Sequence, residues 1–172
     1  MLQSTSHFGE PILLEDRLPE LGQPLPYFEL VNLALESVSL EAFIGQRKIL
    51  HFHPCIDTPT SVETVQALHH LASQYPNTAV IHISADLPFT LSRFKSSSRI
   101  NSGHFLSTLR GRDMLKHYGV LMVSSKMAGL PARVLMVADE HHRLLHLEVV
   151  STLTQLPNLA RACQVLAAQR QV

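Results

Sequence analysis

The sequence predicts an α/β domain, with a central mixed β-sheet flanked by helices. Three observations carry this. Strand-sized apolar runs alternate with segments of helical period. Two late strands are joined by a tight polar turn, and a helix closes the chain. No linker, internal repeat or low-complexity tract interrupts the 172 residues, so 1–172 reads as one domain. Gly22-Gln-Pro-Leu-Pro26 is local punctuation, a loop rather than a boundary.

In chain order, Arg47–His53 reads as a buried strand stopped by Pro54, which has no N–H to give a sheet. Ser61–Tyr75 has helical spacing, with Val62, Val65, Leu68 and Ala72 on one face. Asn77–Ser84 is the next strand, and Asp86-Leu-Pro88 is a turn. A short helix around Phe89–Lys95 follows, ended by the serine cluster Ser96–Ser98. Arg112–Tyr118 reads as helix up to the stop signal Gly119. Ala132–Asp139 and Arg143–Val150 form two strands of a hairpin across Glu140-His-His142, and Leu159–Gln169 is the closing helix.

Composition narrows the function classes. Fourteen Lys plus Arg balance fourteen Asp plus Glu, and no basic stripe appears, which gives no electrostatic reason to expect nucleic acid or an anionic membrane as partner. The longest apolar runs, such as Val134–Ala138, are strand-sized. Met1–Glu10 has neither a basic start nor an apolar core, so a cytoplasmic location is the expectation. The two cysteines, Cys55 and Cys163, make neither a disulfide framework nor a zinc spacing, and no cofactor or metal is expected.

The informative stretch is Pro54-Cys-Ile-Asp-Thr58-Pro-Thr-Ser61, at a strand-to-helix junction. Such turns set side chains beside the free N–H groups and positive dipole of a helix N-terminus, where a cysteine becomes a reactive thiolate. Pro54-xxx-Thr58-xx-Ser61 resembles the peroxiredoxin active-site pattern Pro-x-x-x-Thr-x-x-Cys. Ile56-Asp-Thr58, Ile83-Ser-Ala-Asp-Leu-Pro-Phe89 with Ser92-Arg-Phe94, Leu106-Ser107, Tyr118-Gly-Val120 and Gly129-Leu-x-Ala-Arg133 are similar to the bacterial thiol peroxidase subfamily, the atypical two-cysteine peroxiredoxins. The resemblance runs from about Phe8 to Leu166. It implies a thioredoxin-like fold of peroxiredoxin type, a homodimer with the active-site region near its interface, and thioredoxin as electron donor if the protein is active.

The departures from that pattern fall on its chemistry. The resemblance places the peroxidatic cysteine at Ser61 and the resolving cysteine at Lys95, while Pro54, Thr58 and Arg133 keep the family's residue types. The peroxidase cycle needs a thiolate that attacks the O–O bond and becomes a sulfenic acid. A serine hydroxyl is not ionised near neutral pH and has no such oxidised form. The expectation is a degenerate member without peroxidase activity, retaining a pocket for a hydroperoxide or small anion.

Other readings stay open. Cys55 could be a displaced nucleophile, or an inert thiol near the turn. Ser61 could be an engineered replacement for the cysteine of a one-cysteine enzyme, which would need no resolving thiol at Lys95. It also has a helix-capping reading: Thr60-Ser-Val-Glu63 is a capping box, and Thr58 before Pro59 is another helix start. Arg133, the one basic residue in an apolar strand, either faces solvent or stabilises an anion. Cys163, among Leu159, Ala162 and Leu166, reads as core.

Histidine is the compositional excess, with eleven residues. His51 and His53 alternate on one strand, so both point to the same face. With His82 from the next strand they could form a metal site, which makes a His-rich metal-binding protein the third reading. His69-His70 and His141-His142 fall on a helix and in a turn, where solvation is expected.

Overall fold

In a computed structural model, residues 3–15 and 17–168 are described. The chain opens with an antiparallel hairpin, β1 (Ser4–His7) and β2 (Glu10–Leu13). Its two-residue turn, Phe8-Gly9, has positive φ at both positions, the geometry whose twist suits adjacent strands. Strands β3 (Glu29–Val31) and β4 (Ser37–Ser39) and a 3-10 turn (Leu40–Phe43) follow. The central strand β5 (Arg47–Phe52) leads through Pro54 into α1 (Pro59–Gln74). Then come β6 (Thr78–Ser84), α2 (Pro88–Ser98), β7 (His104–Ser107), the short α3 (Met114–His117), β8 (Val134–Ala138), β9 (Leu144–Val149) and α4 (Leu159–Ala168).

Seven strands form one mixed sheet in the order β4-β3-β7-β6-β5-β8-β9. β5, β6 and β7 run parallel, and β3, β8 and β9 add antiparallel pairings. The parallel strands are buried on both faces, so they read as continuous apolar runs rather than alternating ones. Ile49, Val80, Leu135 and Val137 on one face meet Leu68 and Leu71 of α1 and Ala162 and Leu166 of α4. Next to them α2 sets Leu91 against Ile56, Val65 and Phe105. The opposite face, carrying Leu50, Phe52, Ile81 and Ile83, is covered by Met114, Leu115 and Tyr118 and by Ile12 and Leu14 of the N-terminal region. Each such fully buried Leu or Ile contributes roughly 1.5–3 kcal/mol relative to an exposed one.

Several expectations are corrected. Helix α1 begins at Pro59 rather than Ser61 because Thr58 is its N-cap, and a proline at the first helical position loses no bond. The capping box at Thr60–Glu63 therefore does not form. The buried stripe of α1 is Ser61, Thr64, Val65, Leu68 and Leu71, with Val62 and Ala72 half-buried at its edge. Ser96–Ser98 lie inside α2: the hydroxyls of Ser96 and Ser98 bond back to the carbonyls of Ser92 and Phe94, and the helix stops at Arg99 in the left-handed region. The expected helix Arg112–Tyr118 shrinks to Met114–His117, because three-residue turns precede it and Gly119 ends it. At Gly119 φ is +63°, and a Cβ there would lie 2.6 Å from the Arg17 backbone. Strands β1–β4 and β7 were not read from the sequence, being three or four residues long. Gln169, the expected last helical residue, lies outside the described residues.

Candidate functional site

Pro54 ends the β5 segment and starts the turn that feeds α1. That turn is tied to the neighbouring strand ends by Asp86. Its carboxylate accepts from the Ile56 N–H at 2.7 Å and from the Ser84 hydroxyl at 2.7 Å, and its carbonyl accepts from the Ser107 hydroxyl at 2.5 Å. Asp86 is a positioning residue that sequence reasoning missed as a site residue. Its place just beyond the end of β6 was the available signal.

Thr58 caps α1, its hydroxyl oxygen accepting from the Ser61 N–H at 3.3 Å and its carbonyl accepting from the same N–H at 3.0 Å. Ser61 sits in the first turn and is fully buried. Its Oγ accepts from the Thr58 hydroxyl at 2.7 Å and from Arg133 Nη2 at 3.3 Å. Arg133 comes from the far side of the sheet's central ladder. Phe52 pairs with Val134, which sets Arg133 beside His53 where β5 ends and β8 begins. The guanidinium does not face solvent: Arg133 is 1% exposed. Its Nε donates to the Leu153 carbonyl at 3.1 Å, and among the described residues Nη1 has no hydrogen-bond partner. Burial pulls its pKa down to about 10, and only an ionised Cys55 would offset part of that.

Above these groups is a cavity of about 300 Å³, lined by Pro54, Thr58, Pro59, Arg133 and Leu153, with His7, Phe8, Thr60, Met127 and Thr154 completing it. Four of the sequence-selected residues, Pro54, Thr58, Ser61 and Arg133, are thus brought together. Lys95 is not among them. It lies on α2, its Nζ donating to the Gly103 carbonyl at 3.5 Å and standing 5.8 Å from the centre of the Phe105 ring.

Cys55 is half-buried at the turn, and its thiol is pushed up, first by burial and then by the Asp86 carboxylate. That is the opposite of what a nucleophilic cysteine needs. Cys163 is half-buried against the cluster of Ile49, Leu68 and Leu166, and its carbonyl accepts from the Tyr75 hydroxyl at 3.4 Å.

The three strand histidines do meet under α1. His51 and His53 point to one face and their rings stack, with centroids 4.7 Å apart and planes 21° apart. His51 Nδ1 and His82 Nδ1 share a hydrogen bond at 3.1 Å. Stacking turns the His51 and His53 ring edges the same way instead of converging them on a point. Among the described residues no group of three or more His, Cys, Asp or Glu side chains is arranged to hold a metal ion. Burial pulls His53 down to about 3 and holds His51 and His82 well below the ordinary imidazole value. Neither ring nitrogen of His53 reaches a partner in hydrogen-bond geometry, and the Cys55 backbone lies close enough only to offset part of that burial cost. The expectation of solvated histidine pairs is corrected at two positions. His142 is buried, with Glu41 3.9 Å from its Nε2, and His69 bonds the Ser102 hydroxyl.

Comparison with known proteins follows the same line. Residues 20–165 match the sequence model of the Redoxin family. Thiol peroxidases from two strains of Vibrio cholerae serotype O1 are 31% and 30% identical over 153 residues, which is 89% of this chain and 93% of theirs. A thiol peroxidase from Chromobacterium violaceum superposes with a TM-score of 0.92 at 23% identity, covering 98% of this chain and 97% of that one. A peroxiredoxin-like protein from Aquifex aeolicus superposes at 0.90, also at 23% identity, over 96% of both chains. At that identity the two structures speak for the fold, and the family match and the Vibrio sequences speak for descent. On these grounds the chain belongs to the redoxin family, among the peroxiredoxins of the bacterial thiol-peroxidase type.

Proposed function

We propose that this chain keeps the binding pocket of a thiol peroxidase and lacks its peroxidase chemistry, with Ser61 at the peroxidatic position and Lys95 at the resolving one. The observation that carries this reading is the environment of Ser61 Oγ. It accepts from Thr58 at 2.7 Å and from Arg133 at 3.3 Å, at the first turn of α1. Two donors, one of them a buried cation, suit a sulfur anion at that point, and the hydroxyl there brings no negative charge. In a peroxidase a thiolate at this point attacks the O–O bond, its sulfur takes one oxygen, and the other leaves as water or an alcohol. An oxygen nucleophile cannot complete that exchange. Cys55 does not take over, because burial and Asp86 keep its thiol protonated. The protein in this reading is a cytoplasmic homodimer that holds a hydroperoxide or small anion, and thioredoxin is a donor only for a chain with a working thiol.

The test is peroxide consumption with thioredoxin and its reductase, against hydrogen peroxide and an organic hydroperoxide. The protein is expected to show none, and Ser61→Cys is expected to gain oxidation at residue 61, seen by mass spectrometry as added oxygen. Turnover by the unchanged protein that disappears in Cys55→Ser would overturn the reading. A Ser61→Cys protein no more reactive than free cysteine would show that the pocket is not preorganised.

A further inference from the structure

The charge balance of the site identifies what the pocket takes. Arg133 is buried, and among the described residues no carboxylate pairs with it. Its Nη1 has no hydrogen-bond partner, and its neighbours Ser61 and Thr58 are neutral. The buried imidazoles beside it, His51 and His53, carry no negative charge and leave three ring nitrogens unpartnered between them. A buried cation without a counter-charge is costly, and an orphaned donor adds its own desolvation penalty. One anionic group placed against Arg133 would relieve both.

The rest of the cavity describes the body attached to that anion. Among the described residues no acidic side chain lines it, and Phe8, Pro54, Pro59, Met127 and Leu153 make its walls mostly apolar. Its volume of about 300 Å³ compares with roughly 30 Å³ per water in the liquid, so it holds more than an inorganic ion. Phe8 stands at the turn of the β1–β2 hairpin, 83% exposed and in the left-handed region at φ 48°. Its ring, tilted against His7 with centroids 4.3 Å apart, is one of the apolar surfaces that line the cavity.

We propose that the cavity over Arg133 binds an apolar monocarboxylate, its carboxylate on the Arg133 guanidinium and its hydrocarbon body against Phe8, Met127 and Leu153. This rests on the reading that the pocket survives without the peroxidatic thiolate, and it names the ligand class that takes the place of that charge. A hydroperoxide is neutral and leaves Arg133 unbalanced, and phosphate lacks the hydrocarbon body.

The experiment is calorimetric titration of the full chain with hexanoate, hexanamide and inorganic phosphate near neutral pH. Hexanoate is expected to bind at one site per chain. The neutral amide, nearly the same shape, is expected to bind at least about tenfold more weakly, since a charge-assisted bond is lost. Phosphate is expected to bind at least about tenfold more weakly than hexanoate, since it gains nothing from apolar burial. Ser61→Asp supplies an internal carboxylate beside the guanidinium, whose Nη2 lies 3.3 Å from Ser61 Oγ, and is expected to abolish hexanoate binding while keeping the fold by circular dichroism. Met127→Trp, which fills the cavity from its half-buried wall, is expected to abolish it too and leaves the buried charges untouched. Equal binding of hexanoate and hexanamide, phosphate binding as tightly as hexanoate, or no heat with hexanoate would each overturn the proposal. So would folded Ser61→Asp and Met127→Trp proteins that bind hexanoate unchanged. Peroxide reactivity in Ser61→Cys without hexanoate binding by the parent would leave the pocket reading standing and the ligand class wrong. Turnover of peroxide by a parent that also binds hexanoate would overturn the reading of lost chemistry and leave the ligand class standing.

Discussion

At Ser61, Thr58 and Arg133 a difference of one atom separates two chemistries. Sulfur at position 61 would ionise under the helix dipole and a guanidinium, and oxygen there only accepts two hydrogen bonds. Arg133 is held by the Leu153 carbonyl on one side and Ser61 on the other, so its head group is placed whether or not an anion is present. The thiol that remains nearby behaves differently. With its pKa raised by burial and by Asp86, Cys55 stays protonated at neutral pH. Iodoacetamide is therefore expected to alkylate Cys55 more slowly than free cysteine at pH about 7.5, because only the thiolate reacts. Peptide mass mapping over time checks this, and a rate above that of free cysteine would place a reactive thiol at the turn. Asp86→Ala should lower the Cys55 pKa by removing the carboxylate, and should also loosen the turn it holds through Ile56 and Ser84.

At the scale of elements, the site depends on how α1 starts. Thr58 has extended backbone angles, Pro59 fixes the first helical φ, and Ser61 is then delivered to the buried face one turn in. Thr58→Ala removes the cap and one of the two donors to Ser61. It is expected to lower stability by about 1 kcal/mol, read from urea unfolding, and in a Ser61→Cys background to slow peroxide oxidation of the new thiol. A Thr58→Ser protein, which keeps the hydroxyl, should recover both. Stability loss without any change in the oxidation rate would make Thr58 a cap and nothing more. Helix α2 shows the contrasting case. Its serines satisfy themselves against the preceding turn, and Lys95 faces Gly103 and Phe105, remote in role from the Ser61 cluster.

At the scale of the molecule, the sheet places three neutral imidazoles and a guanidinium beneath α1 with no carboxylate among them. His53 is pulled down to about 3, and His51 and His82 also lie well below the ordinary value of about 6.5 that an unfolded imidazole keeps. Between those limits the unfolded chain binds more protons than the native one. Stability from this cluster is therefore full above pH about 6.5 and falls as the pH drops below it, by up to about 1.4 kcal/mol per pH unit for each imidazole. Urea midpoints are expected to fall steeply between pH about 6 and 4, with His53→Phe giving a slope shallower by about one proton. A midpoint flat across that window would mean that the imidazoles are not held neutral in the native state.

Sequence by itself determined the α/β class, the order of the central strands and long helices, and the grouping of Pro54, Thr58, Ser61 and Arg133 as candidates. It could do so because apolar runs, a proline stop and a helix-start pattern are local signals, and the family resemblance linked Arg133 to the turn. The short strands β1–β4 and β7 were not legible, since three or four residues carry too little periodicity and hold only through pairing with distant partners. The role of Asp86 and the bond between His51 and His82 were hidden for the same reason: both depend on which strands lie side by side. Only the tertiary structure decided that Arg133 is buried rather than solvent-facing, because it stands just before β8 and the start of α1 and the Leu153 segment, distant in sequence, close over it. Burial then turned that choice into chemistry, by leaving a guanidinium with no paired carboxylate among the described residues, beside a cavity with apolar walls.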